Sequence, residues 1–127
     1  LKLGIIISIG YAPEKIPLKQ EGIRTAIRLR TKKPAQIMAA NGTPTEPEQM
    51  PEWFNRGIDA VLACPTAINK LPVVFDLTDG VVSASMPNQR HLIQDYDLGI
   101  SKLHFELATD LKGTWELGQP GHFIVSE

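Results

Sequence analysis

Cys64 is the sole cysteine of this 127-residue sequence, and a thiol becomes a nucleophile or a metal ligand when a base or a positive field removes its proton. The bases on offer, His91, His104 and His122, all lie far from it along the chain. Ala60 to Cys64 is a short apolar run closed by Pro65, and a lone cysteine in such a run behaves as a small buried hydrophobe. No histidine pairs with another or with Cys64 at metal-ligand spacing: C-x-x-C and H-x-x-x-H are both missing. Asp76 with Asp79, and Asp95 with Asp97, are candidate acid pairs. Turn chemistry alone explains Thr78-Asp79-Gly80, however, and residues two apart on a helix do not share a face. Gly10 follows an aliphatic run where a phosphate loop would sit, but Gly10-Tyr11-Ala12-Pro13-Glu14-Lys15 matches neither G-x-G-x-x-G nor G-x-x-x-x-G-K-[ST]. The residues therefore yield no catalytic set, no metal site and no cofactor.

Charge distribution points to a class of partner. Residues 1–33 hold eight basic side chains against two acids, and residues 34–127 hold five against twelve, although the net charge is only −1. Arg24, Arg28 and Lys32 recur every four residues, with Lys19 nearby, so a helix would align them on one face. Such a row contacts phosphates through charge without reading bases, which implies weak, non-specific and salt-sensitive RNA binding. A solvated helix face accounts for the same pattern. The aromatic strand motifs of sequence-specific RNA binders are absent.

The elements that would position these residues follow from patterning. Leu3 to Ile9 predicts a central strand, Leu18 to Lys33 a helix, and Ala35 to Ala40 a second strand ended by the Asn41-Gly42 turn. Thr45 to Gly57 predicts a second helix and Ala60 to Cys64 a third strand. Val73 to Leu77 and Val81 to Met86 predict a hairpin around Asp79-Gly80. From Asn88 onward Leu92, Tyr96, Ile100, Leu103, Leu107 and Leu111 form one helical row, read as the sheet-covering face or a subunit interface, with Gly99 as a break and Phe105 off the row. Thr114 to Leu117 would turn through Gly118-Gln119-Pro120-Gly121 onto Phe123 to Val125. The alternation predicts a single α/β domain over residues 1–127. It would be a small three-layer sandwich with a mostly parallel sheet, helices on both faces and an added antiparallel hairpin. Its strand ends would present Gly10, Asn41, Cys64 and Asp76. No stretch approaches the roughly 18 apolar residues of a membrane span, and the single cysteine suits a reducing, cytoplasmic compartment. Glu127 carries no stop signal, so a C-terminal tail is expected.

The opening Ile5-Ile6-Ile7-Ser8-Ile9-Gly10-Tyr11-Ala12-Pro13 and the basic stretch Glu21-Gly22-Ile23-Arg24-Thr25-Ala26-Ile27-Arg28 resemble the small assembly and packaging cofactor of the cystoviruses, enveloped double-stranded RNA bacteriophages. That resemblance implies a dimeric, non-enzymatic inner-capsid component in the virion and host cytoplasm. Its partners would be RNA, met through Lys19, Arg24, Arg28 and Lys32, and viral polymerase or capsid proteins. The alternative is a small intracellular α/β enzyme, a hydrolase or transferase, with its site near Gly10, Cys64 and Asp76.

Overall fold

The computed structural model describes residues 10, 11, 15, 18–28, 32–66, 70–87 and 93–126. The strand expected at Leu3 to Ile9 lies outside them. In chain order the elements are α1 (Leu18–Arg28), β1 (Met38–Ala40), β2 (Thr43–Pro44), α2 (Glu52–Ala63), β3 (Val74–Thr78), β4 (Val81–Ser85), α3 (Ile93–Thr109), β5 (Gly113–Trp115) and β6 (Gly121–Val125). Short 3-10 turns cover Pro34–Gln36 and Pro47–Gln49.

The six strands form one sheet in the order β2-β1-β3-β4-β6-β5. Only β1 and β3 pair in parallel, and the other four pairings are antiparallel. The expectation of a mostly parallel sheet is thus corrected, and Ala60 to Cys64 is the reason. Ala60 to Ala63 is the last turn of α2, and Cys64 is its C-cap, with its N–H donating to the Val61 carbonyl at 3.1 Å. A short apolar run cannot be told from a buried helical segment by periodicity alone. Here Phe54, Ile58 and Val61 continue into it at helical spacing and are all buried. One β-α-β crossover, β1 through α2 to β3, therefore remains. The other described pairings are made by chain reversals, which give antiparallel neighbours. Two of these are tight turns whose central residues take left-handed backbone, Asn41 and Gly42 (φ 50° and 73°) and Asp79 and Gly80 (φ 49° and 82°).

The second helix, expected from Thr45, starts only after Pro51. That proline is the N-cap of α2, where a missing N–H costs nothing, and its carbonyl accepts from Phe54 and Asn55. Gly99 likewise does not break α3, which runs unbroken from Ile93 to Thr109.

Strand register lines up two apolar rows on one face of the sheet, Met38-Phe75-Ala84-Gly121 and Ala40-Leu77-Val82-Phe123-Trp115. Both α2 and α3 pack there. Phe105 of α3 stacks on Phe75 (centroids 4.8 Å apart, planes at 16°) and meets Phe54 of α2 and Trp115 of β5 edge-on at 5.4 and 6.1 Å. The opposite face carries Asp76, Ser83, His122 and Thr114. Among the described residues no helix packs on that face, so they form two layers where three were expected, and the described side chains of α1 are exposed.

The buried face of α3 also differs from the expected one. Leu98, Ser101, Lys102, Phe105 and Thr109 are buried, whereas Tyr96, Leu103 and Leu107 of the apolar row remain 52, 52 and 72% exposed. Close approach of α2 is the cause. A Cβ on Gly57 would overlap the Phe105 ring and lie 2.8 Å from Thr109 Cγ2, so the helices meet where side chains are small or flat. Gly57→Ala should therefore destabilise the fold by about 1–3 kcal/mol despite the helix propensity of alanine, read as a lower urea midpoint at unchanged slope.

Candidate functional site

Beside this core, α3 and the β5–β6 hairpin line an open cavity of about 530 Å³. Lys102 builds its floor. The side chain leaves the buried face of α3 at 7% exposure, and its ammonium donates to the carbonyls of Glu116 and Gly118 at 3.0 and 3.2 Å. It also lies 5.3 Å from the centroid of the Trp115 ring. Trp115 answers by donating its indole Nε1–H to the Lys102 carbonyl at 3.1 Å. Helix and hairpin are thereby clamped in both directions, and the indole is held at the cavity wall. Gly121 makes the clamp possible, because a Cβ there would collide with Lys102 Nζ and stand 2.7 Å from the Glu116 carbonyl.

The cavity walls combine Trp115, Leu98, Leu103 and Leu117 with the acidic residues Asp95, Glu106 and Glu116. Burial pushes the Lys102 ammonium below its ordinary pKa, opposed by the charge of Glu116. The Glu116 carboxylate accepts from His122 twice, from ring Nδ1 at 2.6 Å and from the backbone N–H at 3.2 Å. The His122 hydrogen bonds hold it below the usual carboxylate range. A flat organic ring would find an aromatic and aliphatic wall here, edged by hydrogen-bonding groups, the usual composition of a small-molecule pocket.

Of the residues singled out from sequence, Asp95 lines this cavity and His122 holds its Glu116, but the expected Cys64 and Asp76 lie elsewhere. Cys64 is buried at 2% exposure behind α2, with Sγ 3.6 Å from Ser101 Oγ, whose hydroxyl donates to the Asp97 carbonyl at 2.7 Å. Burial pushes its thiol up, the nearby Asp97 charge adds to this, and the Ser101 hydrogen bond opposes it. Asp76 points from the other side of the sheet and accepts from the Gly42 N–H at 2.7 Å and from Thr78 at 3.3 Å. Asn41 sits in the β1–β2 turn, and Gly10 is exposed, where an added Cβ would meet no atom within 4 Å. The site expected at Gly10, Cys64 and Asp76 is therefore not assembled by these residues. His104 Nδ1 lies 2.9 Å from the Ile100 carbonyl of its own helix, and His91 is outside the described residues. Among the described residues no three His, Cys, Asp or Glu side chains gather as a metal-ligand set.

Of the basic group, Lys19 is exposed on α1 and Arg24 and Arg28 belong to the same helix. Lys32 lies in the non-helical segment entering Pro34, half-buried, and burial lowers its pKa. The four-residue spacing therefore does not extend along described helix to Lys32. Lys102, Trp115 and Glu116 were not foreseen, and His122 was considered only as a base for Cys64. Only the placement of Trp115 and Glu116 just before a Gly-Gln-Pro-Gly turn hinted at them, since Lys102 reaches the hairpin through a tertiary contact.

Two outcomes follow. In the native protein Cys64 should react with iodoacetamide far more slowly than in urea, by about 100-fold or more, measured by mass spectrometry. Glu116 has a depressed folded-state pKa, so its contribution to stability is full above the unfolded value of about 4.3 and is lost as pH falls through the folded value. The stability gap between the natural chain and Glu116→Gln should accordingly close between about pH 5 and pH 3 in chemical denaturation.

A family model described as "Putative TM nitroreductase" (TM1586_NiRdase) matches residues 1–109. No match was found among curated proteins or among solved structures. The match overturns the resemblance to the cystovirus assembly cofactor. With that resemblance fall the non-enzymatic capsid and RNA-packaging role and the virion location. The similarity had rested on an aliphatic run and a basic stretch, features common to many α/β chains, whereas the family model spans most of the sequence. No described helix is long and apolar enough to cross a membrane. Through that match over residues 1–109, the chain belongs to the TM1586-type nitroreductase family.

Proposed function

We propose that the chain is part of a reductase that delivers electrons to nitro groups on flat organic acceptors, with the cavity between α3 and the β5–β6 hairpin as the acceptor pocket. The family match over residues 1–109 carries this reading. The first two-electron step consumes two protons and releases water, R–NO₂ + 2e⁻ + 2H⁺ → R–NO + H₂O. No amino-acid side chain donates hydride, so the electrons have to come from a redox cofactor of the flavin or nicotinamide class.

The cavity residues suit the acceptor better than such a cofactor. The Trp115 indole and the leucines offer a flat ring its wall, at the size expected for a small-molecule site. A cofactor phosphate does not fit: Asp95, Glu106 and Glu116 surround a single lysine, and two of the Lys102 N–H groups already serve the Glu116 and Gly118 carbonyls. The phosphate end of any nucleotide cofactor has to lie outside this pocket.

The test is anaerobic incubation of the purified chain with flavin mononucleotide, NADPH and nitrobenzene, following nitrobenzene loss and product by chromatography. Turnover above the free-flavin background is expected. Leu103→Ala, at a half-exposed position of the wall, should lower kcat/KM by about tenfold, the loss of a few buried methyl and methylene groups. Cys64→Ser should leave it unchanged. Turnover no faster than free flavin would overturn the proposal.

A further inference from the structure

We infer that Asn41 is a site of spontaneous covalent modification, deamidation through a cyclic imide, and that the Asp76 carboxylate holds its rate down by latching the Asn41–Gly42 peptide. Asn41 is the sole asparagine followed by glycine in the chain. Asparagine is a labile residue, and most so before glycine, which has no side chain to shield its backbone nitrogen. The pair forms the exposed two-residue turn that joins β1 to β2, so water and hydroxide reach it. In the reaction the Gly42 nitrogen attacks Asn41 Cγ. A nitrogen–Cγ bond forms, the bond from Cγ to Nδ2 breaks, and ammonia leaves with the Gly42 amide proton. Water then opens the imide at either carbonyl, leaving aspartate or, with one more carbon in the main chain, isoaspartate.

The turn is tied to β3 on both sides of Asn41. Its own N–H donates to the Leu77 carbonyl at 3.2 Å, and the Gly42 N–H donates to Asp76 Oδ2 at 2.7 Å. The Thr78 hydroxyl in turn donates to Asp76 Oδ1 at 3.3 Å. Both turn residues take left-handed backbone, with φ 50° and 73°, the geometry of a turn whose first central ψ is roughly +30°. Closing the imide ring requires a very different ψ at Asn41. The Asn41–Gly42 peptide plane therefore has to rotate, which carries its N–H away from Asp76. Charge acts in the same direction. The nitrogen attacks only after losing its proton, and a carboxylate 2.7 Å away opposes the negative charge that this leaves. A carboxylate is also far too weak a base to take an amide proton, so Asp76 protects and does not catalyse. The inference does not depend on the reductase reading.

The test is incubation of the folded chain at mildly alkaline pH, with conversion of Asn41 followed by mass spectrometry and isoaspartate separated by chromatography. Asn55, followed by arginine, is the internal control. Conversion is expected to run about tenfold or more slower than in urea, the worth of a hydrogen bond to a charged group. Asp76→Ala should raise the folded rate by about tenfold, and Asp76→Asn, which keeps an acceptor without the charge, should fall between. Urea transitions establish that each variant is folded during the incubation, and Asp76→Asn, equal in shape, carries the test where the alanine variant does not fold. A natural chain that deamidates as fast folded as unfolded would overturn the inference. So would folded Asp76 variants that react no faster than the natural chain.

Discussion

The stacking of Phe105 on Phe75 is the contact around which the described structure is arranged. It joins α3 to the central strand pair of the sheet at 4.8 Å, and the same ring is met edge-on by Phe54 and Trp115. A single aromatic side chain thus touches α2, β3 and β5, three elements far apart in sequence. Aromatic contacts of this geometry add about 0.5–1.5 kcal/mol each beyond their buried area. They also fix direction, because edge and face have opposite partial charge. Gly57 belongs to this arrangement: without its bare backbone α2 could not approach the ring, and the Phe54 edge would move away with it.

From that contact the geometry of the cavity follows. With Phe105 turned inward, Lys102 is carried to the hairpin side of α3, three residues earlier and nearly one turn away. There its ammonium finds two carbonyls and the Trp115 ring, while Trp115 returns a hydrogen bond to the Lys102 carbonyl. Burying a lysine is unfavourable unless its donors are used, and the hairpin loop supplies the acceptors. The same rotation turns Tyr96, Leu103 and Leu107 outward. The clamp, the cavity and the exposed apolar row are consequences of one helix orientation.

Membership in a nitroreductase family recasts the chemistry of the chain without depending on a nucleophile. The reactive-looking group, Cys64, is held protonated in the core between α2 and α3. The polar residues that do converge on a cavity, Lys102 and Glu116, are held by carbonyls and by His122. An oriented, partly apolar pocket with few polar groups suits positioning of an acceptor whose electrons come from a cofactor, the division of labour expected of cofactor enzymes.

Local chemistry was enough to locate several elements. Asn41-Gly42 and Asp79-Gly80 announce tight reversals, Val73 to Met86 a hairpin, and the four-residue spacing after Asn88 a helix, because backbone preference and periodicity are written within a few neighbouring residues. The strand assigned to Ala60–Cys64 failed because a five-residue apolar run has no period of its own, and only packing of Phe54, Ile58 and Val61 against the sheet shows it to be helix. The buried face of α3 was misjudged for a related reason. Counting leucines selects the most apolar row, but the tight approach to Gly57 favours Ser101, Phe105 and Thr109, whose shapes fit. Lys102, Trp115, Glu116 and His122 carry no shared motif, and a hairpin turn and a helix bring them together. The turns, the hairpins and the existence of the helices were legible from neighbouring residues, since those depend on local backbone energetics. Tertiary structure decided the sheet direction, the face α3 buries and the residues of the pocket, since those depend on which distant surfaces can pack without leaving a void or an unpaired charge.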